Sequence, residues 1–253
     1  MRQAAIHSQV LDLYRALLET WGPQEWWPAR SRFEVIVGAF LTQNTAWTNV
    51  EKALNQLRQA RALTVAGIRN TPLTKLEQLV RSAGYFRQKA QRLKNFVAYL
   101  DERHRGSLDR MFATPTPELR QEVLALNGVG PETADAILLY AGGHPVFVVD
   151  SYTRRLFDRH GILALTAKYE EIRELVETAF VAAQRANTLP KLPEDSPQPR
   201  WRVSVTGPSS DLAQAYNEFH ALIVTAGKRH CLKAEAKCEA CPLEPFLNLR
   251  STS

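Results

Sequence analysis

Glu132 and Asp150 are the carboxylates whose setting in the sequence suits them to chemistry rather than to solvation. Glu132 lies in "LNGVGPETADAILLY", just inside a helix that Pro131 opens after the turn Asn127-Gly128-Val129-Gly130. Asp150 ends the apolar run of "HPVFVVDSYTRRLF" and precedes Ser151-Tyr152-Thr153, which reads as a helix start. A carboxylate at a helix N-terminus is stabilised as the anion, so Asp150 is expected to be ionised at neutral pH. A fixed anion of this kind serves electrostatic or general-base chemistry, and it equally serves as a plain N-cap. The Gly-Val-Gly-Pro turn adds a second chemistry. Gly128 and Gly130 permit positive φ and close approach of another backbone, and a proline-initiated helix leaves its first amides for a phosphate.

Those groups need a scaffold, and the apolar spacing predicts helices throughout. Segments 10–20, 33–41, 47–60, 74–83, 87–103, 117–126, 131–141, 151–159, 169–185 and 211–227 carry helical periodicity, and Thr116-Pro117-Glu118 reads as a capped start. Leu119, Val123 and Leu126 form one stripe and Ala134, Ile137, Leu138 and Ala141 another, with a turn between them too tight for anything but a helical hairpin. The fold class is all-α. Residues 188–210 differ: they hold five of the fourteen prolines and read as a surface insertion, in which Trp201, Val203 and Val205 alternate as one short extended piece.

The chain has 253 residues, 45% of them hydrophobic and 23% charged, enough for one large domain or two small ones. No apolar run approaches the roughly 20 residues of a membrane span, so no membrane partner is expected. The net charge of +6 fits a polyanionic partner. The three cysteines, all within 231–241, argue against a disulfide framework and for an intracellular setting, and with no targeting signal in the sequence the expected location is cytoplasmic, nucleoid-associated in a bacterium.

The hairpin with its glycine- and proline-rich turn, and an aspartate twenty residues past Gly130, resemble the endonuclease III (helix-hairpin-helix-GPD) superfamily of DNA glycosylases. "FEVIVGAFLTQNTAWTNVEKAL", "LEQLVRSAGYFRQKAQRLKNF" and "FHALIVTAGKRHCLKAEAKCEACPL" extend the likeness to nearly the whole chain apart from the insertion. The resemblance implies two helical lobes with an active-site cleft between them. One is continuous over 34–144 and contains the hairpin, 117–141. The other is built from 1–33 plus 145–253, with the insertion 188–210 and a cysteine-containing loop 231–241. It also implies double-stranded DNA carrying a damaged base as partner, and a monomer.

Residue by residue, the resemblance makes Asp150 the catalytic aspartate. Bifunctional members carry a lysine at the position of Glu132; a glutamate forms no Schiff base, which implies a monofunctional enzyme using water. Glu132 then either takes a direct part in catalysis or positions the water. "EWWPAR" and the aromatic after "LTQNT" resemble the branch that excises 3-methyladenine, so Trp26, Trp27, Pro28 and Trp47 are expected to line a base pocket; without that context paired tryptophans read as core anchors. Alkylated purines are cationic, which suits tryptophan faces and makes the base a good leaving group. Gln43 matches a glutamine inserted into the duplex, and Tyr85 lies in the loop of the opposing wedge or is a packing aromatic. Gly128, Val129 and Gly130 would hold the DNA backbone, and Arg87, Lys89, Arg92 and Lys94 a solvated face near phosphates.

Members commonly hold a [4Fe–4S] cluster through four cysteines near the C-terminus. Cys231, Cys238 and Cys241 fit the first three places and Leu247 occupies the fourth. The expectation is a metal-free loop without a cofactor, presenting Lys228, Arg229, Lys233 and Lys237 to DNA. A zinc site aided by His230, or an incomplete cluster, is the alternative. The function implied is excision of alkylated purines, above all 3-methyladenine, in base excision repair. The rivals are a glycosylase for a mismatched or oxidised base, and a non-catalytic helix-hairpin-helix DNA-binding protein.

Overall fold

The computed structural model describes residues 2–24, 26–27, 29–192 and 208–247. Among these every regular element is helical, with one isolated antiparallel bridge between Cys231 and Ala236. The described residues divide into two compact units, the first from the stretches up to Trp26, 145–192 and 208–247, the second from Trp27 to His144.

The second unit is built around α2 (Arg32–Thr42), whose residues Phe33 to Leu41 are all buried. A helix apolar on every side must sit inside its unit, and α2 packs against α3 (Trp47–Gln59), α6 (Phe86–His104) and α9 (Pro131–Ala136). Ser31 starts it by accepting the Glu34 amide. α3 buries Val50, Ala53, Leu54 and Leu57 along one stripe. Two short helices escaped the periodicity, α4 (Val65–Asn70) and α7 (Leu108–Phe112), each announced by a capping hydroxyl, Thr64 and Ser107. The single helix expected over 74–83 is α5 (Leu73–Leu79) followed by a 3-10 turn, Arg81–Ala83, that ends on Gly84 at φ +67°. α8 (Thr116–Leu124) takes Pro115 as its cap, because the Thr116 hydroxyl is engaged with His144 Nδ1 at 2.9 Å. Beyond α9 the helix widens into a π turn, Ile137–Gly142, closed by Gly143 at φ +71°.

The first unit holds α1 (Arg2–Trp21), α10 (Ser151–Arg159), α11 (Tyr169–Arg185) and α12 (Pro208–Arg229). Its core is aromatic: the Tyr14, Phe180 and Phe219 rings lie 5.2–5.4 Å apart, and Tyr216 adds to Phe180 at 5.4 Å. Such ring clusters bury large area and fix mutual orientation. The insertion expected over 188–210 gives way to α12 at Pro208; the extended piece expected at Trp201, Val203 and Val205 lies outside the described residues. No described helix is long and apolar enough to cross a membrane.

Candidate active site

In the first unit, residues 146–149 have no regular secondary structure, with Val146, Phe147, Val148 and Val149 buried. A buried segment outside helix and sheet must find other hydrogen-bond partners. Here Phe147 N donates to Glu177 Oε1 at 2.9 Å and Val149 N to the Tyr169 hydroxyl at 3.3 Å, both from α11. The run ends on Asp150, the N-cap of α10. Its Oδ1 accepts from Thr153 N at 2.8 Å and Thr153 Oγ1 at 3.0 Å, while Oδ2 lies 3.6 Å from Nε2 of His220 on α12. The Asp150 side chain is 14% exposed. Burial pushes its pKa up, but the His220 imidazole and the Thr153 hydrogen bonds outweigh burial and hold the carboxyl below the ordinary aspartate range. His220 was not read from the sequence: nothing local to a histidine seventy residues downstream marks it.

Trp26 belongs to the same unit. Just before it, Gln24 N donates to Glu218 Oε2 at 2.8 Å and Gln24 Oε1 accepts from Thr225 Oγ1 at 2.9 Å. The Lys228 ammonium stands 5.3 Å from the Trp26 ring centroid, a cation–π distance. α12 thus carries both the imidazole beside Asp150 and the anchors of the segment leading to Trp26.

In the second unit Trp27 meets Trp47 edge-on at 5.3 Å and Tyr140 at 5.2 Å. Gly38 on α2 admits the Trp27 indole, since a Cβ there would lie 3.3 Å from its ring. Trp47 also lines a pocket of about 550 Å³ with Ala29, Arg30, Glu34, Glu51 and Arg58, in which Arg58 pairs with the buried Glu34 at 2.7 Å. Trp27 and Trp47 therefore come together, with Tyr140 as a partner the sequence did not single out. Pro28 lies outside the described residues.

The hairpin forms as expected from α8 and α9, locked by Arg120 reaching across to the fully buried Asp135 through two hydrogen bonds of 2.7 and 3.1 Å. Its glycines differ. Gly128 sits at φ +77° with the Arg92 guanidinium packed where a Cβ would be, whereas Gly130 has φ −96° and open space around it. Only Gly128 uses the left-handed region. Between the two glycines, the Val129 side chain is buried and its amide donates to Leu126 O at 3.1 Å. Glu132 is exposed in the first turn of α9.

Gln43, the C-cap of α2, is tied to this hairpin. Its Nε2 donates to Gly128 O at 3.1 Å and to Thr133 Oγ1 at 2.9 Å, and its Oε1 accepts from Arg92 Nη1. Tyr85 is 68% exposed at φ +44°, so it is not a packing aromatic. Lys89 requires the opposite correction. It is 1% exposed, and its Nζ donates to Leu41 O at 2.9 Å and Ala83 O at 2.7 Å. It faces the interior rather than the solvated side that Arg87 occupies, and it cross-links the two loops that carry Gln43 and Tyr85, as does Thr45 Oγ1 through Ala83 O. Burial, with Arg92 nearby, lowers its pKa to about 8.

The cysteines are all reduced. Cys231 is buried, and its Sγ accepts from Arg159 at 3.2 Å while its carbonyl accepts from Arg155 at 2.7 Å. Burial raises the Cys241 thiol pKa, with Cys238 and Cys231 adding to the shift. His230 stacks on Trp21 at 5.8 Å and uses Nδ1 on Lys237 O at 3.2 Å, so it braces the loop. Leu247 offers no ligand atom, and among the described residues no group of three or more His, Cys, Asp or Glu side chains is placed to hold a metal ion. The residues present do not fit a four-thiolate cluster.

Comparison with known proteins adds identity to this geometry. A putative DNA repair glycosylase of Methanocaldococcus jannaschii is 41% identical over 94% of this chain and 94% of its own length. The H. pylori 3-methyladenine DNA glycosylase, solved bound to 1,N6-ethenoadenine, superposes with a TM-score of 0.70 at 28% identity, over 87% of this chain and 97% of that one. A non-covalent Endonuclease III–DNA complex, 21% identical, shares the fold with a TM-score of 0.70 over 96% and 95%. Residues 37–180 match the family model described as HhH-GPD superfamily base excision DNA repair protein. The chain belongs to the HhH-GPD superfamily.

Proposed function

We propose that this protein is a monofunctional DNA glycosylase that hydrolyses the N-glycosidic bond of alkylated purines, 3-methyladenine above all, and leaves an abasic site. The observation that carries the reading is Asp150: an anion at the head of α10 whose Oδ1 is held by Thr153 and whose Oδ2 faces His220 Nε2 at 3.6 Å. In the proposed reaction the bond from C1′ to the purine breaks and its electron pair neutralises the cationic base. The Asp150 charge stabilises the oxocarbenium-like sugar, water adds at C1′, and the water proton passes to the carboxylate. Glu132 supplies no amine, so no Schiff base forms and the strand stays intact. Gln43 and Tyr85 would fill the gap left by the flipped nucleotide, and Gly128 would approach the backbone. Trp26, Trp27 and Trp47 would stack against the base, a gain of about 0.5–2 kcal/mol for a cation over indole.

One observation favours a second lesion class within the same chemistry. Lys228 already faces Trp26, so a cationic base gains less from that ring. A neutral ring-extended purine such as 1,N6-ethenoadenine, which the H. pylori relative was solved with, then competes. The test incubates the protein with methylated duplex DNA and with an ethenoadenine duplex, and separates the released bases by chromatography. Release of 3-methyladenine, with strands broken only after alkali, is expected. Release from the ethenoadenine duplex alone would move the specificity to neutral adducts. No release from either, or strand cleavage without alkali, would overturn the reading.

A further inference from the structure

His220 is buried on α12, with its side chain 6% exposed and its ring edge-on to Phe147 at 6.3 Å. Phe147 belongs to the same buried run that delivers Asp150, so one ring packs the imidazole while the run it sits on fixes the carboxylate. The helix that carries His220 packs on α10, which Asp150 caps. It is also fixed lengthwise by Glu218 and Thr225, both bonded to Gln24. An imidazole mounted on so constrained a helix has little freedom to leave the Asp150 carboxylate.

The two carboxylate oxygens are not equivalent. Thr153 holds Oδ1 through its amide and hydroxyl, and Oδ2 faces His220 Nε2 at 3.6 Å. That distance is long for a direct hydrogen bond and too short for a water between the two atoms, so it is a close electrostatic contact. Thr153 alone leaves the carboxylate a rocking motion about its terminal torsion, which for aspartate is a broad well. An imidazole on the far side of Oδ2 closes that freedom. We propose that His220 is a positioning residue for Asp150: it sets the orientation of Oδ2, the oxygen that meets the sugar and the water. This rests on the reading of Asp150 as the catalytic carboxylate. Preorganised charge of this kind is effective because it needs no rearrangement as the transition state forms.

Single-turnover excision from a methylated duplex should be measured for wild type, His220→Leu, His220→Gln and Asp150→Asn, and for Asp150→Asn combined with His220→Leu. His220→Leu is expected to slow excision by about 10- to 100-fold, the size produced by misplacing a reacting group by up to about 1 Å. Affinity for the lesion duplex should change less than about twofold. His220→Gln, which keeps an N–H, should recover most of the rate, and in the Asp150→Asn background His220→Leu should add almost nothing. An arm independent of any lesion follows the Asp150 side-chain carboxyl ¹³C signal in DNA-free protein. It should broaden or split in His220→Leu and stay sharp in His220→Gln. A sharp, unmoved signal in His220→Leu overturns the proposal, as do equal rate losses in both backgrounds, or a loss that Gln does not rescue. If wild type releases no methylated base while the signal broadens as expected, the substrate reading fails and the positioning role stands.

Discussion

Lys89 shows how a residue is misread and what the correct reading predicts. Arg87, Arg92 and Lys94 around it suggest a basic solvated face, yet Lys89 falls on the stripe of Leu93, Phe96 and Leu100, all buried. The periodicity held that information and the charge concealed it. Its folded pKa of about 8 lies below the ordinary lysine value of 10.5, so the folded chain gives up this proton before the unfolded chain does. The cost of burying the cation is present in full below pH 8, and stability rises as pH climbs from about 8 to 10.5, by on the order of 3 kcal/mol. Denaturant unfolding of wild type and Lys89→Met across that range should show the rise in wild type and its absence in the variant. Asp150 was legible because an apolar run, a carboxylate and a helix start are neighbours in the chain. His220 was not, because what places it is the packing of α12 on α10.

At the scale of elements, the hairpin was the most legible part of the molecule: two stripes and a turn of four residues leave one arrangement. What the sequence left undecided was the division of labour between its glycines. Gly128 needs its positive φ and gives room to Arg92, while Gly130 needs neither. Gly128→Ala should therefore lower unfolding free energy by about 1–2 kcal/mol through left-handed strain and weaken duplex binding as Arg92 is displaced. Gly130→Ala, read by the same unfolding and binding titrations, should come close to wild type. The ion pair across the hairpin carries more energy. Arg120→Met strips the guanidinium from a fully buried Asp135, and an expected loss of on the order of 3 kcal/mol follows from leaving that charge buried. Arg120→Met with Asp135→Leu should recover much of it, measured by the same unfolding curves, because a matched apolar pair carries no desolvated charge. The short helices α4 and α7 escaped the periodicity because five or six residues give barely one repeat of an apolar stripe. Their caps, Thr64 and Ser107, were the signal that remained.

For the whole molecule, the net charge of +6 sets an electrostatic expectation that separates surface from interior. Affinity for undamaged duplex should fall linearly in log K against log salt, each phosphate contact contributing about −0.9 to the slope. Lys89→Met should leave that slope unchanged, since its ammonium is spent on Leu41 and Ala83. Arg92→Met should make it shallower by about one contact. A slope reduced by Lys89→Met, in fluorescence-anisotropy titrations over about 50–200 mM salt, would place that ammonium outside the interior.

The unit that carries Asp150 is assembled from both ends of the chain: α1 packs on α11 and α12, which follow it by well over a hundred residues. During synthesis Tyr14 of α1 emerges well before Phe180 and Phe219, the rings it packs against, whereas residues 27–144 are contiguous in the chain. The long closure costs little more entropy than a shorter one would, but it delays the carboxylate's surroundings until the ribosome has released α12. Domains generally fold as units during synthesis, so in stalled nascent chains residues 27–144 are expected to become protease-resistant first, and a chain stalled before α12 would carry the GVG turn and Asp150 without His220.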